Sequence, residues 1–195
     1  MNILKLLGFH RKKSTNSEYL YKDILHLWED DNLMLELLPN ENLEFVKSET
    51  RRINDFGEEH SDGFGYSEIT GIGEKPVKTI EKLIDVSEIE SILIAVGFEK
   101  INQFIMEGVG LLEGDRAPLG YGTNKFAILC EKRNQLLENI WITGQTRSQE
   151  DKQRLIAALL LLGQTFNFIG VNWYKGEYYD LVEKKSVEEF VNISC

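Results

Sequence analysis

One short segment of the sequence, Glu58–Asp62 (EEHSD), gathers side chains that could bind a metal ion or move a proton. Carboxylate oxygens and imidazole nitrogens are common ligands of zinc and of other divalent metals. If the segment is extended, His60 lies on the same face as Glu58 and Asp62, because strand side chains alternate. A complete site needs ligands from elsewhere, and the other histidines have no comparable neighbours. We therefore predict a solvated acidic loop with no metal and no cofactor, and a metal-dependent hydrolase is the third hypothesis.

Motifs for nucleophilic catalysis and for phosphate binding are missing from the sequence. Cys130 lies in the apolar run FAILCE, where a thiol is normally a buried small hydrophobe. The glycine-rich stretch Gly108–Gly122 begins like a dinucleotide fingerprint, but Glu113 occupies the position of the third glycine. No lysine follows the glycines at phosphate-loop spacing, and no GxSxG nucleophile elbow occurs. We predict a flexible surface loop there, no catalytic residue, and a binding protein rather than an enzyme.

Two aromatic clusters beside acidic residues are the best candidates for a recognition surface. The first is Trp28–Asp31 (WEDD), and the second is Val171–Asp180 (VNWYKGEYYD) on a predicted hairpin. Large aromatic side chains provide anchor area and a face for a cation, so this pattern suits the capture of a basic patch. The competing interpretation is a sheet whose inward aromatics form the core and whose outward ones make cross-strand pairs. The predicted partner-binding residues are Trp28, Glu29, Asp30, Asp31, Glu58, Glu59, Asp62, Trp173, Tyr174, Tyr178 and Tyr179.

The charge balance disfavours some partners and favours others. The chain has 22 basic and 32 acidic residues, a net charge of −10, but residues 1–13 carry four basic residues and no acid. The remainder therefore has 18 basic and 32 acidic residues, and its net charge is −14. Such a body repels nucleic acid, whose phosphates are neutralised by lysine and arginine. It attracts basic proteins and speeds their encounter, although an acidic surface also serves solubility alone.

Residues 1–17 form an apolar and basic N-terminal segment, and residues 18–195 are predicted to be one domain. Met1–Lys13 has its basic cluster after the apolar residues and lacks a cleavage site, unlike a signal peptide. No apolar run approaches the ~18 residues of a membrane span. A weak contact with a membrane surface is the alternative to an ordinary helix or a frayed tail. The two cysteines, Cys130 and Cys195, favour reduced thiols and a cytoplasmic location.

Hydrophobic periodicity and turn residues predict an α+β fold with a mainly antiparallel sheet and packed helices. Helices are predicted over 18–28, 40–55, 87–97, 148–165 and 186–191. Strands are predicted over 32–38, 66–72, 77–86, 101–106, 126–131 and 139–143, with a strand–turn–strand unit over 166–182 and a loop over 57–65. The 148–165 helix is apolar nearly all round in its second half, so we expect a buried central helix. Capping boxes are predicted at Ser87 with Glu90 and at Ser186 with Glu189.

The order of three segments resembles that of small bacterial proteins encoded beside secreted polymorphic toxins. The segments are LWEDDNLMLELLPNENLEF, a DGFG loop, and NFIGVNWYKGEYYDLVE followed by a short terminal helix. In that family, an acidic cytoplasmic immunity protein binds its cognate toxin domain and blocks it, and no catalytic residues are shared. Together with the charge, the resemblance implies stoichiometric neutralisation of a basic toxin domain, such as a nuclease. The alternative is a regulatory or structural interaction protein at the inner membrane surface, recruited by residues 1–13.

Overall fold

The helices and strands are arranged around one large sheet. The computed structural model describes residues 24–28, 33–61, 68, 70–112, 114 and 117–194. Within these residues the strands are β1 (Leu25–Leu27), β2 (Leu35–Pro39), β3 (Glu99–Ile101), β4 (Phe104–Met106), β5 (Gly110–Leu112), β6 (Leu119–Gly122), β7 (Phe126–Arg133), β8 (Leu136–Gly144), β9 (Phe168–Asn172) and β10 (Glu177–Asp180). The helices are α1 (Leu43–His60), α2 (Val86–Ala95), α3 (Gln149–Phe166) and α4 (Lys184–Ser194). Short 3₁₀ turns cover Asn40–Asn42 and Thr79–Lys82.

Seven strands form the large sheet in the order β10-β9-β2-β8-β7-β6-β3, and every neighbouring pair is antiparallel. A three-stranded sheet has the order β1-β4-β5, and β1 runs parallel to β4. The predicted α+β class with a mainly antiparallel sheet is therefore confirmed. The predicted hairpins are present as β7–β8 and β9–β10.

Both faces of the large sheet are covered, which explains why its central strands read as nearly continuous apolar runs. On one face, here called the core face, Ile128 and Cys130 pack in a cluster with α2, α3 and α4. On the opposite, outer face, Leu129 and Trp141 pack against the three-stranded sheet. Farther along the outer face, Val171 packs in a cluster with α1. The helices and the small sheet thus form layers on either side of the large sheet.

Helix α3 begins where its sequence predicts. Ser148 is the N-cap, and its hydroxyl accepts a hydrogen bond from the Asp151 amide at 3.0 Å. Leu155 and Leu159 are fully buried in the core, whereas Leu161 is 40% exposed. The helix therefore lies on one side of the sheet, and the prediction of a buried central helix is wrong for its outward face.

Helices α2 and α4 both begin before the predicted capping boxes. In α2, the Asp85 carboxylate accepts a hydrogen bond from the Ser87 amide at 2.8 Å, and Glu88 accepts one from the Asp85 amide at 3.4 Å. The capping box is thus formed by Asp85 and Glu88, not by Ser87 and Glu90. Helix α4 starts at Lys184, so Ser186 lies inside it and does not cap it.

Helix α1 is longer than predicted, because it continues through Gly57 to His60. The predicted loop 57–65 is therefore wrong for its first residues. A glycine inside a helix costs roughly 1 kcal/mol relative to alanine, and packing of neighbouring apolar residues can offset that cost. Ile53 packs against the outer-face cluster, one turn before Gly57. The helix follows the 3₁₀ turn Asn40–Asn42, so Asn42 and not Asn40 is its N-cap.

The two strands predicted between 66 and 86 are absent from the described part of that region. Residues 70–75 have no regular structure, and Thr79–Lys82 is a 3₁₀ turn. Distant side chains satisfy this backbone instead of a neighbouring strand. Asn42 donates to the Val77 carbonyl at 2.9 Å and accepts from the Val77 amide at 3.0 Å. Residues 66, 67 and 69 lie outside the described residues.

The predicted helix 18–28 contains strand β1, and residues 18–23 lie outside the described residues. Strand β1 pairs with β4, which is distant in sequence, so local periodicity does not reveal it. The predicted strand 101–106 divides between β3 and β4, which belong to different sheets. The glycine-rich stretch contains β5 and β6 and is not simply a loop. The N-terminal segment 1–17 lies outside the described residues. Among the described helices, none combines the length and apolarity needed to cross a membrane.

Candidate partner-binding groove

An open groove of about 570 Å³ lies between the C-terminal half of α1 and the turn that follows β9. We call it the α1 groove. Its lining includes the side chains Ile53, Phe56, Glu58, Glu68, Trp173 and Tyr174. Three of these, Glu58, Trp173 and Tyr174, are among the residues predicted to bind a partner. The fold therefore brings together residues that are more than a hundred positions apart in the sequence.

Helical spacing places one wall of the groove. Ile53, Phe56 and Gly57 fall three and four residues apart on α1, so they share one face of the helix. The turn after β9 approaches the same helix closely at Gly176. There the backbone has a φ of +61°, and an added Cβ would lie 2.7 Å from the Asn54 amide group. Glycine is favoured at this position because it adopts the left-handed conformation without strain.

Trp173 is held in a fixed position at the groove by the strands beneath it. Trp173 is only 3% exposed and packs in the outer-face cluster with Val171. The indole Nε1–H donates to Glu36 Oε2 at 3.1 Å, and the Trp173 amide donates to the Met34 carbonyl at 2.9 Å. These bonds fix the orientation of the ring, so the groove wall is formed before any partner binds.

Glu36 is the charged group behind that wall. It is 1% exposed on β2, and its second oxygen accepts a hydrogen bond from Lys75 Nζ at 2.5 Å. Burial raises the pKa of Glu36 above its ordinary value, while the Lys75 charge and the hydrogen bonds from Lys75 and Trp173 act in the opposite direction. Because both carboxylate oxygens have donors, Glu36 links strand β2, residue Lys75 and the indole of Trp173.

A second polar network holds the chain at 70–73 beside α1. Arg52 makes two hydrogen bonds to the Glu49 carboxylate, at 3.0 and 2.7 Å. The same guanidinium donates to Thr70 Oγ1 at 2.8 Å and to the Gly71 carbonyl at 2.6 Å. Glu49 also accepts from the Gly73 amide at 2.6 Å. The Arg52 guanidinium lowers the pKa of Glu49, since its hydrogen bonds favour the carboxylate.

The mouth of the groove combines aromatic rings with negative charge. Tyr174 is 55% exposed, and the Phe56 ring stacks on His60 with a centroid separation of 3.9 Å. The charged lining residues are the carboxylates Glu58 and Glu68. The C-terminal end of α1 adds a partial negative charge at the same place. The groove is therefore suited to a cation that has apolar surface.

The other predicted binding residues are distributed over the molecule. Glu59 is exposed on α1 without lining the groove, and Tyr178 is 41% exposed on β10. Tyr179 points to the core face, where it is 8% exposed and stacks on Phe190 at 5.0 Å. Trp28 is 52% exposed and directly follows β1 of the small sheet. Glu29, Asp30, Asp31 and Asp62 lie outside the described residues.

The described part of the segment Glu58–Asp62 is not arranged as the extended metal site considered from sequence. Glu58 and His60 belong to helix α1, where residues two apart do not share a face. His60 Nδ1 lies 2.8 Å from the Phe56 carbonyl oxygen, and Nε2 lies 3.7 Å from Glu68 Oε2. Among the described residues, no group of three metal-ligating side chains is found.

Cys130 is a core residue in the structure. It is 1% exposed on β7, and burial raises the pKa of its thiol. A buried thiol with a raised pKa is a poor nucleophile, so its environment agrees with the small-hydrophobe interpretation.

A larger cleft of about 800 Å³ lies beside the bulge in β7 between Glu131 and Lys132. Its described lining residues carry both charge signs and include no aromatic side chain. Glu131 already accepts a hydrogen bond from Asn139 at 2.6 Å. The larger cleft therefore offers neither anchor rings nor a single charge sign, and the α1 groove is the better candidate for a partner.

Sequence reasoning missed Phe56 and Glu68 as groove residues. Phe56 follows Ile53 by three residues on the same face of α1, but the predicted helix ends at about residue 55 and so leaves Phe56 out. Glu68 joins the groove through tertiary structure, for which the sequence carries no local signal.

No protein-family model, curated protein or solved structure matches the chain. The resemblance to immunity proteins therefore stays a prediction.

Proposed function

We propose that this chain is a non-catalytic cytoplasmic protein that neutralises a basic bacterial toxin domain by stoichiometric binding. The observation that carries the proposal is the α1 groove, where Trp173 and Tyr174 lie beside the carboxylates Glu58 and Glu68. Tyr174, which is 55% exposed, provides anchor area at the mouth of the groove, and the two carboxylates provide charge complementarity.

The distribution of charge supports the same function. Outside residues 1–13 the chain carries a net charge of −14, from 18 basic and 32 acidic residues. A strongly acidic body accelerates encounter with a basic protein, and the buried contacts then determine how slowly the complex dissociates. Binding over the basic surface of a toxin domain such as a nuclease would exclude its substrate. Inhibition of this kind needs no turnover.

Co-expression with the proteins encoded next to this chain tests the proposal. We expect one neighbour to be toxic when expressed alone and tolerated when co-expressed with the wild-type chain. The purified pair should form a 1:1 complex that weakens as salt concentration rises, because screening reduces the charge attraction. The proposal is contradicted if no neighbouring product is toxic, or if a toxic product is neither bound nor neutralised.

A further inference from the structure

The chemistry of the α1 groove selects among basic side chains. The exposed ring of Tyr174 and the partly buried ring of Phe56 can stack against a flat group. Its carboxylates, Glu58 and Glu68, can accept hydrogen bonds from a cation. A guanidinium is planar, stacks on aromatic faces and donates in a fork that matches a carboxylate. An ammonium is a compact and strongly hydrated point charge, so it uses the carboxylates but gains less from the rings.

We propose that the α1 groove binds an arginine side chain presented by an extended segment of the partner protein. The inference rests on the proposed function and names the residue type that anchors the partner. At about 570 Å³, the groove has the size of a site for a side chain together with flanking main chain. Among the described lining residues there is no lysine or arginine, and the Arg52 guanidinium, which donates to the lining residue Thr70, is paired with Glu49.

The groove is organised for this ligand before binding. The Trp173 indole is fixed by its hydrogen bond to Glu36 at 3.1 Å, and the Phe56 ring is fixed by stacking on His60 at 3.9 Å. Gly176 lies close to the Asn54 side chain, so the turn after β9 approaches α1 at the groove. Because the rings are already ordered, binding loses little side-chain entropy. The structure thus favours a specific aromatic contact over a diffuse attraction of opposite charges.

The test is an NMR titration of the full chain with N-acetylarginine methylamide, followed through the Trp173 indole N–H signal. A Trp173→Phe variant identifies that signal among the three tryptophans of the chain. N-acetylcitrulline methylamide is the matched neutral probe, and N-acetyllysine methylamide is the matched ammonium probe. We expect the arginine probe to shift Trp173, the lysine probe to bind more weakly, and the citrulline probe to have no effect.

Two variants separate the contributions of charge and of stacking. We expect Glu58→Gln and Tyr174→Leu each to weaken the arginine probe by about two- to fivefold, as for exposed ion pairs and cation–π contacts. Both positions are exposed, so both variants should fold. Glu81→Gln, at an exposed carboxylate of the 3₁₀ turn Thr79–Lys82, is the matched control and should leave the probe affinity unchanged.

The inference is overturned if the arginine and citrulline probes give equal shifts, if no shift occurs, or if the shifts map outside the groove. The co-expression experiment is independent of these probes. A toxin that is neutralised while the arginine probe has no effect would leave the proposed function standing and remove the arginine anchor. An arginine-specific shift without any neutralised neighbour would keep the groove chemistry and remove the toxin-binding function.

Discussion

The three-stranded sheet and helix α1 cover the same face of the large sheet in different ways. The small sheet packs on the large sheet through apolar contacts. One of these brings the Phe104 ring against Gly120, where a Cβ added to the glycine would lie 2.7 Å from the ring. Helix α1 combines an apolar cluster with the charged network around Glu49, and the charged network of Glu36 with Lys75 and Trp173 lies beside that cluster. The outer face thus has one apolar cover and one polar cover.

This difference indicates that the small sheet mainly stabilises the fold, whereas the polar networks near α1 mainly hold side chains in position. Apolar packing strongly stabilises the fold, but it does not fix the orientation of a side chain as a hydrogen bond does. A buried carboxylate is costly and contributes little net stability even when it is paired, yet it fixes the groups that it contacts. Glu36 fixes Trp173 at the α1 groove, so we interpret the polar cover as the positioning device of the candidate binding site.

The largest loss of stability is expected from a substitution in the apolar cluster under the three-stranded sheet. We expect Phe104→Ala to lower the free energy of unfolding by about 3–5 kcal/mol, because it removes a ring that is 2% exposed and leaves a cavity. Urea denaturation measures the loss. Leu111→Ala, on neighbouring β5 at 44% exposure, is the control and should change stability by less than about 0.5 kcal/mol. Equal effects of the two variants would remove the basis of the comparison.

The next effect is expected at the buried charge. We expect Glu36→Ala to cost about 2–3 kcal/mol, since Trp173 and Lys75 both lose their acceptor. The matched control is Glu41→Ala, which removes an exposed glutamate paired with Lys82 and should cost less than about 1 kcal/mol. Thermal unfolding, monitored by circular dichroism, compares the two variants with the wild type. If both variants cost the same, the buried network has no special role.

The sequence predicts the large sheet and its core face better than it predicts the two covers. Local patterns reveal the hairpin β7–β8, because its strands are long apolar runs closed by a short turn. Helix α3 is predicted for the same reason, from its cap and its periodicity. The strands predicted over 66–72 and 77–86 are wrong for their described residues, because Asn42 and Arg52 fix the backbone at Val77 and Gly71 through side chains that are distant in sequence. Strand β1 was missed because it has three residues and a distant partner.

The candidate site shows the same limit. Glu58, Trp173 and Tyr174 were singled out from residue type, and the structure places them around one groove. Residue type does not distinguish the exposed Tyr174 from the buried Tyr179, because both are tyrosines in the same predicted hairpin. The register of β9 and β10 decides this, since Tyr179 pairs with Gly170 and points to the core face.

A smaller effect is expected from the pH dependence of Glu49. Its pKa is lowered in the folded state, so its contribution is present above the unfolded value and is lost as pH falls through the folded value. We expect Glu49→Gln to cost about 1 kcal/mol at neutral pH and close to nothing in strong acid. Unfolding midpoints at both pH values measure the difference. Glu59→Gln, at an exposed position on the same helix, is the control, and a pH-independent loss at Glu49 would contradict the ion-pair explanation.

The smallest effect on stability is expected at the mouth of the groove. Tyr174→Ser should change the free energy of unfolding by less than about 0.5 kcal/mol, because Tyr174 is 55% exposed. Tyr179→Ser should cost about 3 kcal/mol, because that ring is buried and stacked on Phe190. Denaturant unfolding of both variants sharpens the distinction between core and surface aromatics. A large loss for Tyr174→Ser would show that this residue supports the fold.

The affinity of the groove variants for the neutralised partner tests the central claim most directly. Isothermal titration calorimetry would compare Tyr174→Ser and Glu58→Lys with Leu161→Ser, an exposed control on α3. If the α1 groove is the binding site, at least one groove variant should weaken binding by about 30-fold, the loss typical of a hot spot, while the control binds like the wild type. Folded groove variants that bind the partner with unchanged affinity would contradict the claim.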